Sequence, residues 1–215
     1  MKGLLVKDLC LLKNQKKLIP IVVILAAWFT AFHMDSFAFT YMGLMATIIA
    51  IGTSSYDEYD RGFTYLFTLP FSRKTYVREK FLLGFLLLAA GMALAFLCVG
   101  AAALLRPGTI DGGEVLAAAV SSALICAAVL GVTLPLNIRY GSERGRIAMF
   151  IIFAAAVLLI LAVTKLLPPS LSSGVTAFLD RLGGLAAALI GAALAAAVCI
   201  VGYIVSVRQI MKKEF

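Results

Sequence analysis

The chain has 215 residues, of which 62% are apolar and only 14% charged, with a formal net charge of +8. A soluble domain is about half apolar and about one quarter charged. No soluble core would hide this much apolar surface, so the composition excludes a soluble globular class and predicts an all-α integral membrane protein. The apolar runs are continuous rather than alternating, which also excludes a closed β-barrel.

The opening stretch, MKGLLVKDLCLLKNQKK, has its apolar residues broken by Lys7 and Asp8 and lacks a small-residue cleavage site. It is therefore expected to be retained rather than removed as a secretory signal. Residues 1–17 read as a helix with Leu5, Leu9 and Leu12 on one face, extended by the stem of Lys16. Lys7, Asp8, Asn14 and Gln15 fall on the opposite face, while Leu4 and Leu11 interrupt the pattern. An amphipathic helix lying on the inner leaflet fits this arrangement.

A hydrocarbon core of about 30 Å takes about 20 apolar residues of helix. Six transmembrane helices are predicted: Leu18–Met34, Phe37–Ser55, Phe81–Leu105, Glu114–Leu136, Ile147–Leu167 and Gly184–Ser206. All belong to one transmembrane domain, 1–215. With the N-terminus cytoplasmic, only Arg106, Lys165 and Arg181 of the nineteen basic residues lie on or near the outer side. The inner side then carries about +9 and the outer side about −1. Both termini are expected in the cytoplasm. The basic excess reflects topology and anionic lipid, not nucleic acid. Small residues repeat along the sixth span, as Gly184, Ala188, Ala192 and Ala196 and again as Gly191, Ala195 and Cys199. Such rows permit close helix approach, within the chain or across a dimer.

Residues 56–80 form the largest cytoplasmic connection. Asp57, Glu58, Asp60 and Arg61 make a charged first part, and Phe63, Tyr65, Leu66, Phe67 and Leu69 an apolar middle. Pro70 breaks any helix there, and Ser72 suits the N-cap of a helix running from Arg73 into the third span. Arg73, Lys74, Arg78 and Lys80 are expected at the inner surface, held by anionic headgroups. Two readings fit: an elbow that transmits a push from a partner into two spans, or an ordinary interfacial loop with aromatic anchors.

Several chemistries lack their residues. No GxxxxGK[ST], HExxH or GxSxG motif occurs. The single histidine, His33, sits near the outer end of span one as an interfacial polar residue. Cys10, Cys98, Cys126 and Cys199 are scattered and suggest neither zinc nor a disulfide framework. The span middles hold hydroxyls such as Thr47, Thr53, Ser54, Ser55, Ser121, Ser122 and Thr133 rather than charges. These are expected to bond helix carbonyls. Such a protein carries no energy source of its own, and uphill transport would need a cytoplasmic partner.

Four stretches resemble the ABC-2-type permeases, in particular the small six-span group of Gram-positive bacteria. They are Met1-Lys-Gly-Leu-Leu-Val-Lys-Asp-Leu at the start, Ser55-Tyr-Asp-Glu-Tyr-Asp-Arg-Gly, Tyr65-Leu-Phe-Thr-Leu-Pro-Phe-Ser-Arg-Lys with Lys80 opening span three, and Leu134-Pro-Leu-Asn-Ile-Arg-Tyr-Gly-Ser-Glu-Arg-Gly-Arg146. The Asn-Ile-Arg at 137–139 departs from the aromatic and lysine often found there in the family. The resemblance implies the membrane half of an ATP-binding-cassette exporter in the bacterial plasma membrane. Two copies would pair, as a homodimer or with a sibling chain, each docking a separate ATPase subunit that holds ATP and Mg; no cofactor is expected in this chain. The connection would be the coupling helix, with Asp57, Glu58, Arg61, Leu66, Pro70, Ser72 and Arg73 in the ATPase-coupling region. The cargo would be amphipathic or hydrophobic, such as an antimicrobial or phenol-soluble-modulin-type peptide. An ATP-independent membrane immunity or scaffold protein is the alternative, since it would share the apolar spans.

Overall fold

The computed structural model describes residues 2–14, 18–58, 72–106, 112–166 and 169–212. Six helices account for them: α1 (Lys2–Asn14), α2 (Leu18–Ala31), α3 (Asp35–Glu58), α4 (Arg73–Leu105), α5 (Gly112–Leu166) and α6 (Pro169–Lys212). Among the described residues, four stretches are long and apolar enough to cross a membrane: Asp35–Asp57, Arg73–Leu105, Gly112–Gly141 and Gly184–Met211. Helix α2 has 14 residues, about 21 Å, which is short of a full core on its own. Residues 59–71 of the elbow, with Arg61, Leu66 and Pro70, lie outside the described residues.

Helix α4 has 33 residues, about 50 Å, and so exceeds the core by several turns. Its surplus is the charged opening RKTYVREK, ahead of the apolar run that starts at Phe81. As the sequence predicts, Ser72 is the N-cap, with extended backbone and a side chain that accepts from Thr75 N–H.

Two expected loops are helical instead. The helix through Leu136 continues to Gly141, turns there with φ 80°, and resumes as helix, so 137–146 is a bend inside α5. That dihedral lies in the left-handed region that glycine enters without cost. Backbone helix also begins at Pro169, well before the predicted sixth span.

Helix α3 packs against α1, α2, α4 and α5, and α6 lies along α5 and α4. One apolar core sits at the Arg73 end of α4, joining Leu4, Tyr76, Val77, Phe81, Leu130 and Ile210. The other, nearer the Leu105 end, joins Ala26, Phe39, Met42, Met92, Val99 and Cys126. Helices α5 and α6 touch backbone to backbone. A Cβ on Gly202 would stand 2.0 Å from the Gly131 carbonyl oxygen. The Gly191, Ala195 and Cys199 row faces α5, with Ala195 buried and Cys199 Sγ donating to Ala127 O. Gly184, Ala192 and Ala196 of the other row stay exposed. Thr47, Ser121, Ser122 and Thr133 bond carbonyls of their own helices. Ser54 departs from that expectation: its buried hydroxyl has no partner.

Candidate functional site

The charged ends of three helices meet where α3 ends and α4 begins. Helix α1 contributes Asp8, which is fully buried one turn after buried Leu4. Leu9 faces outward at 49% exposure, in keeping with an apolar face turned to lipid, but Asp8 is turned into the protein instead of away from it. Apolar periodicity missed this because the partner of Asp8 is a charge.

Helix α4 contributes Lys80, 1% exposed, one turn beyond Tyr76 on the same face. The expectation that anionic headgroups hold Lys80 is therefore corrected: protein carboxylates hold it. Its ammonium donates to Asp8 Oδ2, lies 2.8 Å from Asp57 Oδ2 and reaches Thr53 Oγ1 at 3.3 Å. Asp57, in the last turn of α3, also accepts from Tyr76 Oη at 3.0 Å and from Lys7. Lys7 stands 3.6 Å from Asp8 Oδ1 and keeps about one third of its surface open, at 35%. The Lys80 ammonium also lies 5.5 Å from the Tyr76 ring centre, inside cation–π range. Glu79, next to Lys80 in α4, is also 1% exposed.

Such burial of charge is tolerated only with close pairing and added hydrogen bonds, and the Lys80 contacts supply both. The result is a directional clamp. One ammonium bridges the start of the chain, the end of α3 and the beginning of α4.

Arg73 makes a second tie. Its guanidinium donates to the carbonyls of Ile210 and Met211 at 3.1 and 3.3 Å, at the C-terminal end of α6. Free carbonyls and the helix dipole favour a cation there. Arg73 thus serves α6 rather than the headgroups expected for it, while Lys74 and Arg78 are exposed. Both boundaries of the 59–71 segment are accordingly pinned, Asp57 by α1 and Arg73 by α6.

Of the residues singled out from the sequence, Asp57 belongs to the clamp, and Ser72 and Arg73 fix the start of α4. Glu58 is the last residue of α3. Lys7, Asp8, Tyr76 and Glu79 were not foreseen. A signal existed in Asp8, an acid set among leucines in a helix otherwise suited to the interface. Among the described residues no group of His, Cys, Asp and Glu could hold a metal ion.

An apolar cavity of about 200 Å³ opens between Leu12 of α1, Val22 of α2, Met42 and Met45 of α3, and Leu87 and Leu94 of α4.

The family model described as "ABC-2 family transporter protein" matches residues 3–211. The chain belongs to this family. It is a multi-pass membrane protein, a permease component that works with an ATP-binding-cassette ATPase. No curated protein and no solved structure matches the chain. For an ABC-2 permease, the clamp lies at a consequential place, where the ends of two candidate spans flank residues 59–71.

Proposed function

We propose that the chain is the permease subunit of an ABC exporter with six spans, both termini cytoplasmic, in the bacterial plasma membrane. The family match over residues 3–211 carries this reading. The two spans beyond the four apolar candidates are α2 and the part of α5 that follows Gly141. Two copies pair, and each docks one ATPase subunit, which holds ATP and Mg. The 59–71 segment with Glu58, Arg61, Leu66, Pro70 and Ser72 is the coupling element. Asp57 and Arg73 act as its anchors, because their side chains turn into the protein. The cargo is amphipathic or hydrophobic, of the peptide-toxin kind, and the hydrocarbon lining of the cavity beside α2 and α3 supports that choice.

The test begins with affinity purification in gentle detergent and identification of every co-purifying chain. A P-loop ATPase at near one-to-one is the expected result. Glu58→Lys and Arg61→Glu should then lower transport per ATP hydrolysed while leaving insertion unchanged. Asp57 is unsuited to this test, since reversing its charge breaks the clamp whatever the protein does. A folded, abundant preparation without an ATPase would overturn the reading in favour of an ATP-independent immunity or scaffold protein.

A further inference from the structure

Glu79 stands apart from the ion pairs that surround it. It is 1% exposed, and neither of its carboxyl oxygens meets a hydrogen-bond donor. Asp8 Oδ1 is also buried without a hydrogen bond. Lys7 Nζ, at 3.6 Å, is too far away to supply one. Asp8 bonds Lys80, the residue beside Glu79, so both unpartnered carboxyls sit where α1 meets α4. Ionised carboxylates only accept, so two of them satisfy each other only when one carries a proton.

The charge count points the same way. If every group were ionised, the ammonium groups of Lys7 and Lys80 would face the carboxylates of Asp8, Asp57 and Glu79. One negative charge would remain uncompensated in a buried site. A group in that position takes up a proton rather than bear the desolvation. Burial and the two aspartates favour a neutral Glu79, and Lys80 opposes it. Glu79 lies in the charged opening of α4, before the apolar run.

We propose that Glu79 is held protonated and donates its proton to Asp8 Oδ1, making these five side chains an electroneutral unit that positions α1 against α3 and α4. Glu79 is thus a positioning residue: it orients Asp8, and Asp8 holds Lys80. The inference stands on the geometry of the clamp. It relies on the permease reading only for what α1 docking accomplishes, which is to fix one end of the coupling element.

The proton also makes docking depend on pH. Docked α1 binds one proton more than released α1 wherever a free carboxyl would already be ionised. Docking therefore weakens as pH rises above the ordinary carboxylate range, and levels off once docked Glu79 itself ionises. Tyr76 stays neutral across this window and keeps its bond to Asp57.

The experiment uses the full chain in nanodiscs containing phosphatidylglycerol. Infrared difference spectra at pH 6, below the value of about 7 to which burial raises Glu79, compare it with Glu79→Gln, a neutral side chain of the same shape. A protonated-carboxyl stretch present in the parent and missing in the variant is expected. A second measurement places Leu4→Cys, at a buried position of α1, in a cysteine-free chain and follows thiol labelling against pH. Linkage to one proton shifts the docking equilibrium by up to about tenfold per pH unit. The parent should therefore gain label more steeply than Glu79→Gln, whose own curve corrects for thiol ionisation. Absence of the carboxyl stretch, or identical labelling curves, overturns the proposal. Failure of Glu79→Gln to fold overturns it too, since a neutral isostere should be tolerated. None of these readouts involves an ATPase, so the proposal and the exporter reading can fail separately.

Discussion

Replacing Lys80 by methionine removes the clamp's central cation and keeps an unbranched stem of similar length. In the native chain that ammonium bonds Asp8, lies 2.8 Å from Asp57 Oδ2 and is 1% exposed. Its loss leaves Asp8 and Asp57 to share Lys7, which is 35% exposed. Removing one partner of a buried pair typically costs about 3–5 kcal/mol. Coulomb's law gives a similar scale, because two carboxylates about 5 Å apart repel by roughly 3 kcal/mol at an effective dielectric of about 20. The assay is reversible unfolding of the purified chain in mixed micelles, with Lys74→Met as the control. Lys74 is exposed on the same helix, and its replacement should change stability by less than about 0.5 kcal/mol. Lys80→Met should lose about 3–5 kcal/mol, and added salt should restore little of it, since buried charges are poorly screened. Combining it with Asp8→Asn should cost less than the two single losses together, by about 0.5–3 kcal/mol. A loss below about 1 kcal/mol for Lys80→Met, the range of exposed pairs, would refute the claim that these charges are buried and mutually dependent.

Two further substitutions test the packing and the start of α4. Gly202→Ala should destabilise the chain by about 1–3 kcal/mol in the same unfolding assay, because its methyl would stand 2.0 Å from the Gly131 carbonyl oxygen. Gly52→Ala, where nothing lies within 4 Å, should instead be neutral or stabilising by up to about 1 kcal/mol. Ser72→Ala should cost about 0.5–2 kcal/mol by removing the acceptor for Thr75 N–H, and Ser72→Asp should restore that stability.

How much of this was legible depended on which force decided each element. Long apolar runs read directly, since solvation alone dictates that 81–105 and 184–206 become helices in lipid. The Ser72 cap was legible for a local reason: a serine two residues after Pro70, ahead of a charged helical run, has few alternatives. The bend at Gly141 read as a loop because glycine and charges punctuate the sequence there, while the backbone needed one left-handed residue and otherwise stayed helical. Asp8 was misassigned for a deeper reason. Periodicity ranks faces by hydrophobicity, and it cannot see that Lys80, seventy-two positions later, supplies a partner. Lys80 itself read as a headgroup contact because a basic residue before an apolar run usually is one.

Apolar contact alone would hold α1 poorly. In the interfacial position proposed for it, α1 would find lipid tails as apolar as any groove in the protein, so burying leucines there would give little preference for one docking position. A bonded ion pair is different, since it has direction and fails when shifted by a few ångströms. Leu4 contributes to the core at the Arg73 end of α4, but the Asp8–Lys80 pair sets where along α4 that contact falls. The same lysine holds Asp57, so α1, the end of α3 and the beginning of α4 are constrained as one unit. Under the proposed coupling role, a push on residues 59–71 cannot move either helix end without moving α1 or breaking the clamp. Lys80→Met would leave the Ser72 cap and the Arg73 tie to α6 in place, and would release only α1. Transport that survives this change at full coupling would assign α1 to anchoring; transport lost while ATP hydrolysis continues would make α1 part of the moving linkage.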